Sequence, residues 1–327
     1  MDKTKTEAQR VAEINAIAQG RIGRLTDATA RYIASSYASC VDSPQDLAVR
    51  LRAAQQQFFT EFGQIAPVDV ESLETARDRL ARVDFDGPVV IISNHPPFEK
   101  AIKPDAAQFQ HALNELGRSE LVEGTTAHLP GVIARRGVIN SILSQLLPGQ
   151  AFGFSVVGAK FDDPPMSTIQ DNDGSIVVPY GQGGQGGFEA LSAGVNRVFD
   201  KNRSAQIPVV VAFPEGGNSK TTVEVLAPFH GGIFVASQQY ATASGRPVTI
   251  LPLAMGVRSD FSIGVKVLDP FLLRPDSPSS TDLQSLHDHM QKEYQSLLHV
   301  MPHGWYWKGL EYPYGGPAKS AIVQGKQ

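Results

Sequence analysis

The feature that most constrains the fold is a series of short, apolar, β-branched segments separated by stretches of helical periodicity. Two of these segments, Val89–Ser93 and Ile207–Phe213, are almost continuously apolar, as is typical of strands buried on both faces. Ile176–Val178 and Val248–Leu253 have the same character, and a helical pattern such as Asp105–Leu116 lies between strands. This alternation predicts an α/β domain with a mixed, largely parallel sheet flanked by helices.

Three further elements are expected in the same domain. Phe188–Phe199 has helical periodicity, and Ser262–Val267 has the character of one more strand. Thr281–Leu298 is predicted to be a final helix, because a Ser/Thr-Asp cap precedes it. The residues after Pro302 are aromatic and rich in Gly and Pro, so we expect irregular structure there.

Residues 1–84 differ in composition and predict a small antiparallel helical bundle before the α/β domain at 85–327. Ser43-Pro44 is expected to begin one helix, and Asp69 or Glu71 to begin another. No group of reactive residues occurs in this segment, so we interpret it as a packing or dimerisation module. Its apolar residues recur at helical spacing, as in Leu47, Leu51, Phe58, Phe59 and Phe62.

The composition excludes several classes of protein. The 327 residues carry 29 Lys+Arg against 33 Asp+Glu, a formal net charge of −4, so a nucleic-acid binder with a basic face is not expected. Cys40 is the only cysteine, which excludes an internal disulfide framework and predicts a reducing compartment. No apolar stretch approaches about 18 residues. We therefore expect a cytoplasmic protein whose membrane contact, if it has any, is peripheral.

Polar residues follow the first predicted strand at its carboxyl end, where ligands bind in open α/β sheets. Asn94-His95 comes directly after the strand, and Glu99 follows within reach. A carboxylate that accepts a hydrogen bond from one imidazole nitrogen leaves the other nitrogen to act as a general base. The alternative is structural, with His95 in a turn and Glu99 at a solvated helix start.

A second polar segment follows the strand that ends at Phe213. It reads Phe-Pro-Glu-Gly-Gly-Asn-Ser-Lys, and its two glycines let a substrate approach the backbone closely. Glu215 and Lys220 place charge nearby. A plain polar turn is the alternative interpretation of this segment.

Taken together, these segments resemble the glycerolipid acyltransferase superfamily, the lysophosphatidate and glycerol-3-phosphate acyltransferases. That family has an Asn-His motif, a GxxFIDR-like block, a Phe-Pro-Glu-Gly-Thr-Arg-Ser block with Pro-Phe-Lys-x-Gly after it, and a strand containing proline. The stretches that resemble these motifs occur in the same order, at Asn94-His95, Gly158–Asp163, Phe213–Ser219, Pro228–Gly232 and Leu251–Leu253. The resemblance covers roughly residues 85 to 300 and implies catalysis on one rim of a mixed α/β domain.

The resemblance implies transfer of a fatty acyl group from a thioester of coenzyme A or acyl carrier protein to a hydroxyl acceptor, by default glycerol 3-phosphate or a lysophospholipid. It implies that His95 deprotonates the acceptor, that Glu99 orients the imidazole, and that no metal or redox cofactor is needed. The substrate-binding residues it implies are Phe213, Pro214, Glu215, Gly216, Gly217, Asn218, Ser219 and Lys220. Two alternatives stay open: a non-catalytic lipid- or thioester-binding module, and acyl transfer to a non-phosphorylated metabolite.

The carboxylate of the first motif departs from the family pattern. The family has an Asp five residues after the His, whereas this chain has Lys100 there and Glu99 just before it. Glu is one methylene longer than Asp, and Pro96-Pro97 forces an extended path, so Glu99 is expected to reach His95. Asp105 is the second candidate for the same role.

The cation of the third motif is also replaced. Asn218 stands where the family has Arg, and an amide cannot supply charged, bidentate recognition of phosphate. Lys220 is the nearest replacement along the chain, and Lys160 and Arg197 are others. Arg135-Arg136 is interpreted as a solvated basic turn, with contact to an anionic carrier or a phosphate as the alternative.

Three other features of the sequence are weaker candidates for a functional site. Gly181–Gly187 lacks the Gly-Lys-Ser/Thr of a P-loop, so we expect a linker or a loop over the site, not a nucleotide site. His287 and His289 are two residues apart and do not share a helix face, so no metal pair is expected. Trp305–Trp307 is expected to pack the end of the domain, with an interfacial lipid contact as the alternative.

Overall fold

A computed structural model of the chain describes residues 6–40, 44–81, 87–95, 102, 105–119, 130–149, 152–159, 167–170, 174–179, 185–201, 207–215, 226–258, 260–276 and 282–299. The strands in these ranges are β1 (Val68–Val70), β2 (Val89–Ser93), β3 (Phe152–Ala159), β4 (Ile176–Val178), β5 (Ile207–Ala212), β6 (Val248–Val257), β7 (Ile263–Val267) and β8 (Phe271–Leu273). The helices used below are α1 (Glu7–Cys40), α2 (Pro44–Ile65), α3 (Leu73–Ala81), α4 (Ala106–Glu115), α5 (Pro130–Leu146), α6 (Gln185–Lys201), α7 (Gly232–Ser244) and α8 (Leu283–His299).

The strands form one eight-stranded sheet in the order β1-β7-β6-β2-β5-β3-β4, with β8 also paired to β6. The five strands from β6 to β4 in this order are parallel to one another. β7 and β8 run antiparallel to β6, and β1 pairs in parallel with β7, where Val68 lies opposite Ile263. The mixed, largely parallel sheet predicted from the sequence is therefore confirmed.

Helices cover both faces of the sheet. The central strand β2 contributes side chains to both of the helical layers. All five of its residues are buried. Ile91 belongs to an apolar cluster with side chains from α1 to α5, whereas Val90 and Ile92 belong to a second cluster with α6, α7 and α8. Because successive side chains of a strand point to opposite faces, a strand between two helical layers has apolar residues on both faces, as Val89–Ile92 do.

The N-terminal helices pack in the layer on one face of the sheet. Tyr32 of α1 packs on Phe58 of α2, with ring centres 5.5 Å apart, and both belong to the apolar cluster of that face. Arg21 ties α1 to the turn between β6 and β7, since its guanidinium pairs with Asp260 at 2.8 Å. Burial raises the pKa of Asp260, but hydrogen bonds from Ser262 and Arg21 outweigh it and hold the pKa below its usual value. The division of the chain at residue 84 stays a prediction.

Helix α1 has 34 residues, more than the about 20 that a bilayer requires. Nevertheless, no helix in the described ranges is both long and apolar enough to cross a membrane. Cys40 is the last residue of α1, and its burial raises the pKa of the thiol to about 11. The thiol is therefore protonated at neutral pH and is a poor nucleophile.

The five strands predicted from the sequence are present as β2, β4, β5, β6 and β7, and the structure adds β1, β3 and β8. β1 overturns the expectation that Asp69 begins a helix, because Asp69 is paired with Gly264 of β7 and α3 begins only at Leu73. β1 and β8 have three residues each, too few to show a pattern, whereas β4 is equally short but consists only of β-branched apolar residues. The sequence of β3, FGFSVVGA, breaks its apolar run with Gly and Ser.

Helices α2 and α5 approach each other closely at one glycine. A Cβ added to Gly137 of α5 would lie 2.5 Å from Cγ of Phe62 in α2. Phe62 is fully buried, so its ring cannot move aside without displacing other core side chains.

We therefore expect Gly137→Ala to destabilise the protein by about 1–3 kcal/mol through overpacking. Gly23→Ala is a matched control, because Gly23 is exposed in α1 and a Cβ there would meet no atom within 4 Å. That control removes a glycine from a helix interior and should stabilise the protein by up to about 1 kcal/mol. Urea unfolding measures both changes, and equal stability of the two variants would contradict the close contact.

Candidate functional site

The carboxyl ends of β2 and β5 meet at one edge of the sheet. The two strands are adjacent and parallel, and Ile92 lies opposite Ala212 in their last shared pair. The residues that follow, Asn94-His95 and Phe213–Glu215, are all buried where they leave the sheet. Because ligands of open α/β sheets bind outside the carboxyl ends of the strands, this edge is the candidate site.

Ser93 and Asn94 fix the end of β2 against β6. The Asn94 side chain donates from Nδ2 to the carbonyl of Met255 at 2.9 Å and accepts the N–H of Met255 on Oδ1 at 2.8 Å. The Ser93 hydroxyl donates to the Leu253 carbonyl at 2.9 Å. These side-chain hydrogen bonds extend the contact between β2 and β6 by one residue beyond the backbone pairing. Asn94 therefore fixes the position of the backbone at His95.

A single carboxylate, that of Glu215, links three segments of the site. Glu215 is 3% exposed. Its Oε1 accepts the backbone N–H of His95 at 2.7 Å, and its Oε2 accepts the backbone N–H of Ala227 at 2.9 Å. The backbone N–H of His230 donates to the carbonyl of Pro214 at 2.7 Å and adds a second contact between the segments that contain Glu215 and Ala227. Sequence reasoning could not find this arrangement, because the partners of the carboxylate are backbone groups.

The ring of Phe213 contacts both the imidazole of His95 and the guanidinium of Arg135. The rings of His95 and Phe213 are stacked, with centroids 4.8 Å apart and an angle of 24° between their planes. Cζ of Arg135, which α5 carries, lies 4.8 Å from the centre of the Phe213 ring. The ring of Phe213 therefore limits the positions of both the His95 imidazole and the Arg135 guanidinium.

The expectation of a solvated basic turn at Arg135-Arg136 is wrong, because both residues lie in α5. Arg136 is 2% exposed and donates from Nη2 to the hydroxyl of Ser175 at 2.9 Å. Arg197 of α6 donates to the carbonyl of the same Ser175 at 3.2 Å. A helix signal was available in the sequence, because Pro130 suits a first helical position and apolar residues recur at helical spacing after it.

Several predicted site residues lie outside the described ranges, so their roles stay predictions. They are Glu99, Lys100, Lys160, Gly216, Gly217, Asn218, Ser219 and Lys220. Asp105 is described and caps α4, since its exposed carboxylate accepts the backbone N–H of Gln108 at 2.8 Å. The Pro-containing stretch Leu251–Leu253 lies inside β6, where the Pro252 carbonyl accepts the N–H of Leu268 at 3.0 Å.

Among the described residues, no three His, Cys, Asp or Glu side chains are grouped so as to hold a metal ion. His287 packs edge-on against Phe229 with ring centres 5.0 Å apart, and its Nε2 lies 3.3 Å from the Leu226 carbonyl. His289 lies 3.7 Å from the carboxylate of Glu293 on the same helix. These contacts indicate a structural role in α8 for both histidines.

Comparison with known proteins adds little to this geometry. No model of a known protein family matches the chain, and no curated protein matches its sequence. One solved structure that aligns with it is the 1-acyl-sn-glycerophosphate (LPA) acyltransferase PlsC from Thermotoga maritima. The alignment covers 85% of this chain and 96% of that chain, with 11% sequence identity and a TM-score of 0.39. A likeness this low carries no argument about activity.

The role of Glu215 can be tested by removing its charge while keeping its shape. Glu215→Gln keeps one acceptor oxygen but turns an NH2 group towards a buried backbone N–H, so we expect it to lower the free energy of unfolding by about 1–3 kcal/mol. Glu61→Gln is the control, because Glu61 pairs with Arg31 near the surface, where such pairs contribute at most about 1 kcal/mol.

Urea unfolding measures the stability of both variants, and hydrogen exchange reports the protection of the His95 amide. That amide should exchange faster in Glu215→Gln than in the wild type. Unchanged protection, together with stability equal to that of Glu61→Gln, would contradict the linking role of Glu215.

Proposed function

We propose that this protein is an acyltransferase, which moves a fatty acyl group from a thioester of coenzyme A or acyl carrier protein to a hydroxyl acceptor. The default acceptor is glycerol 3-phosphate or a lysophospholipid, as the resemblance of the sequence motifs implies. The observation that carries the proposal is the carboxylate of Glu215, which holds the backbone of His95 at the carboxyl end of β2.

The geometry suits a general base. Histidine is the side chain best able to accept and return a proton near neutral pH, but it must be held in one orientation to do so. The backbone of His95 is fixed by Glu215 and by Asn94, the residue before it, and its ring lies against Phe213. These three contacts come from the segments that resemble the family's first and third motifs.

In the proposed reaction, the imidazole of His95 takes the proton from the acceptor hydroxyl as its oxygen attacks the thioester carbonyl. The tetrahedral intermediate then collapses, the C–S bond breaks, and the leaving thiolate receives the proton from the imidazolium. Glu99 would orient the imidazole and stabilise its charged form. Backbone N–H groups near Gly216-Gly217 would stabilise the oxyanion, so no acyl-enzyme and no cofactor enter the scheme.

A second candidate is a non-catalytic module that binds a lipid or thioester on the same scaffold. Two observations favour it: His95 is only 6% exposed, and Asn218 replaces an arginine that the family motif contains. The two candidates differ in turnover, since a binding module would hold the thioester without cleaving it. Acyl transfer to a non-phosphorylated metabolite is the third candidate, and Asn218 favours it as well.

The first test is the loss of the base. His95→Ala should reduce acyl transfer by about 10²- to 10⁴-fold, the usual contribution of a general base. Mass spectrometry of acyl-CoA incubated with candidate acceptors gives the turnover, and circular dichroism checks the fold. A folded His95→Ala protein that keeps most of the wild-type turnover would refute the assignment.

The second test decides which carboxylate supports His95. Glu99→Gln should reduce turnover strongly, because Glu99 is the nearer carboxylate along a chain stiffened by two prolines. Asp105→Asn should reduce it only mildly, since asparagine also caps a helix and the cap of α4 is kept. The pH profile of kcat for both variants is the measurement, and the reverse order of effects would transfer the role to Asp105.

A further inference from the structure

Arg135 is the cation that the described part of the chain brings to the ring beside His95. Its guanidinium lies 4.8 Å from the centre of the Phe213 ring, on which the imidazole is stacked at the same centroid distance. The side chain is half-buried and contacts Phe213, the residue that directly follows β5. We infer that Arg135 binds a phosphate group of the substrate; this rests on the proposed function.

The cation–π contact with Phe213 suits this role. A guanidinium has five N–H donors in one plane, so it can contact an aromatic ring and also donate to a ligand. Those N–H groups match two oxygens of one phosphate, which is the geometry of bidentate recognition. The ring also limits the rotamers of Arg135, so less side-chain freedom is lost when a ligand binds.

The neighbouring charges favour an anion at this place. Arg136, the next residue of α5, is a second cation; it is buried at 2% exposure and donates to the Ser175 hydroxyl. The one described carboxylate among the residues at the ends of β2 and β5, that of Glu215, is directed at the backbone N–H groups of His95 and Ala227. Arginine in this setting supplies the charge that Asn218 lacks.

The phosphate has two sources in the proposed reaction. An acceptor such as glycerol 3-phosphate carries one phosphate group. The carrier of the acyl group also has phosphate, with three groups in coenzyme A and one in the phosphopantetheine arm of a carrier protein. The recognition chemistry is the same for both sources, and substrates that lack one phosphate or the other distinguish them.

The variant is Arg135→Met, which keeps an unbranched stem on Phe213 and removes the charge; Arg135→Lys keeps the charge but not the planar group. Arg52→Gln is the matched control for losing one cation, since Arg52 is exposed on α2 and donates to Ala48 of its own helix. Steady-state kinetics on the full chain compare glycerol 3-phosphate with glycerol, and acyl-CoA with a phosphate-free acyl-N-acetylcysteamine thioester.

We expect Arg135→Met to raise the KM of one phosphate-bearing substrate by about 10- to 100-fold, with Arg135→Lys between it and the wild type. A rise confined to glycerol 3-phosphate assigns the acceptor phosphate, and a rise confined to acyl-CoA assigns the carrier phosphate. Kinetics equal to those of Arg52→Gln would overturn the inference. The same loss with every substrate would also overturn it, as would a phosphate-specific loss in Lys220→Ala but not in Arg135→Met.

Calorimetric titration of glycerol 3-phosphate and coenzyme A separates this inference from the proposed function, because it needs no turnover. If wild-type protein binds either compound and Arg135→Met does not, the phosphate site stands even where no acyl transfer is found. If transfer proceeds and neither compound binds in an Arg135-dependent way, the proposed function stands and the phosphate site does not.

Discussion

The candidate site depends on one buried carboxylate that is satisfied by two backbone N–H groups. A buried carboxyl group needs hydrogen bonds that replace the water it has lost, and the bonds of Glu215 hold the end of β2 and the segment before α7 at fixed positions. The bonds formed by Asn94 add the third strand, β6, to the same assembly. Rigid support of this kind is what a general base requires, because small displacements of a catalytic group cost rate.

The helices that precede the α/β region contribute to this assembly indirectly. Phe213, which contacts His95 and Arg135, belongs to the same apolar cluster as residues of α1, α2 and α5. The close contact of Gly137 with Phe62 sets the distance of α5 from α2, two residues beyond Arg135 in the chain. Helices α1 and α2 therefore influence where Arg135 lies, although none of their residues was a site candidate.

Much of the sheet could be predicted from the sequence, because strands buried on both faces leave continuous apolar runs such as Val89–Ser93. β3 could not, since glycine and serine interrupt it, and β1 is stable only through its pairing with β7. The position of His95 at a strand end was predictable. The hydrogen bonds of Glu215 were not predictable, because backbone N–H groups are the same at almost every residue and the sequence does not indicate which of them will be partners. Arg135 lies in a helix and not in the predicted turn, because apolar residues after Pro130 recur at helical spacing.

The order of the strands has a consequence for how the chain is made. β2 is central in the sheet, yet its neighbours β5 and β6 come more than a hundred residues later in the sequence. At a synthesis rate of roughly 5–20 residues per second, the apolar run of β2 leaves the ribosome on the order of ten seconds before its first partner strand. Pairing between such distant segments is also intrinsically slow. The nascent chain must therefore keep an aggregation-prone strand shielded, which makes production of the protein sensitive to chaperone supply and to the speed of translation.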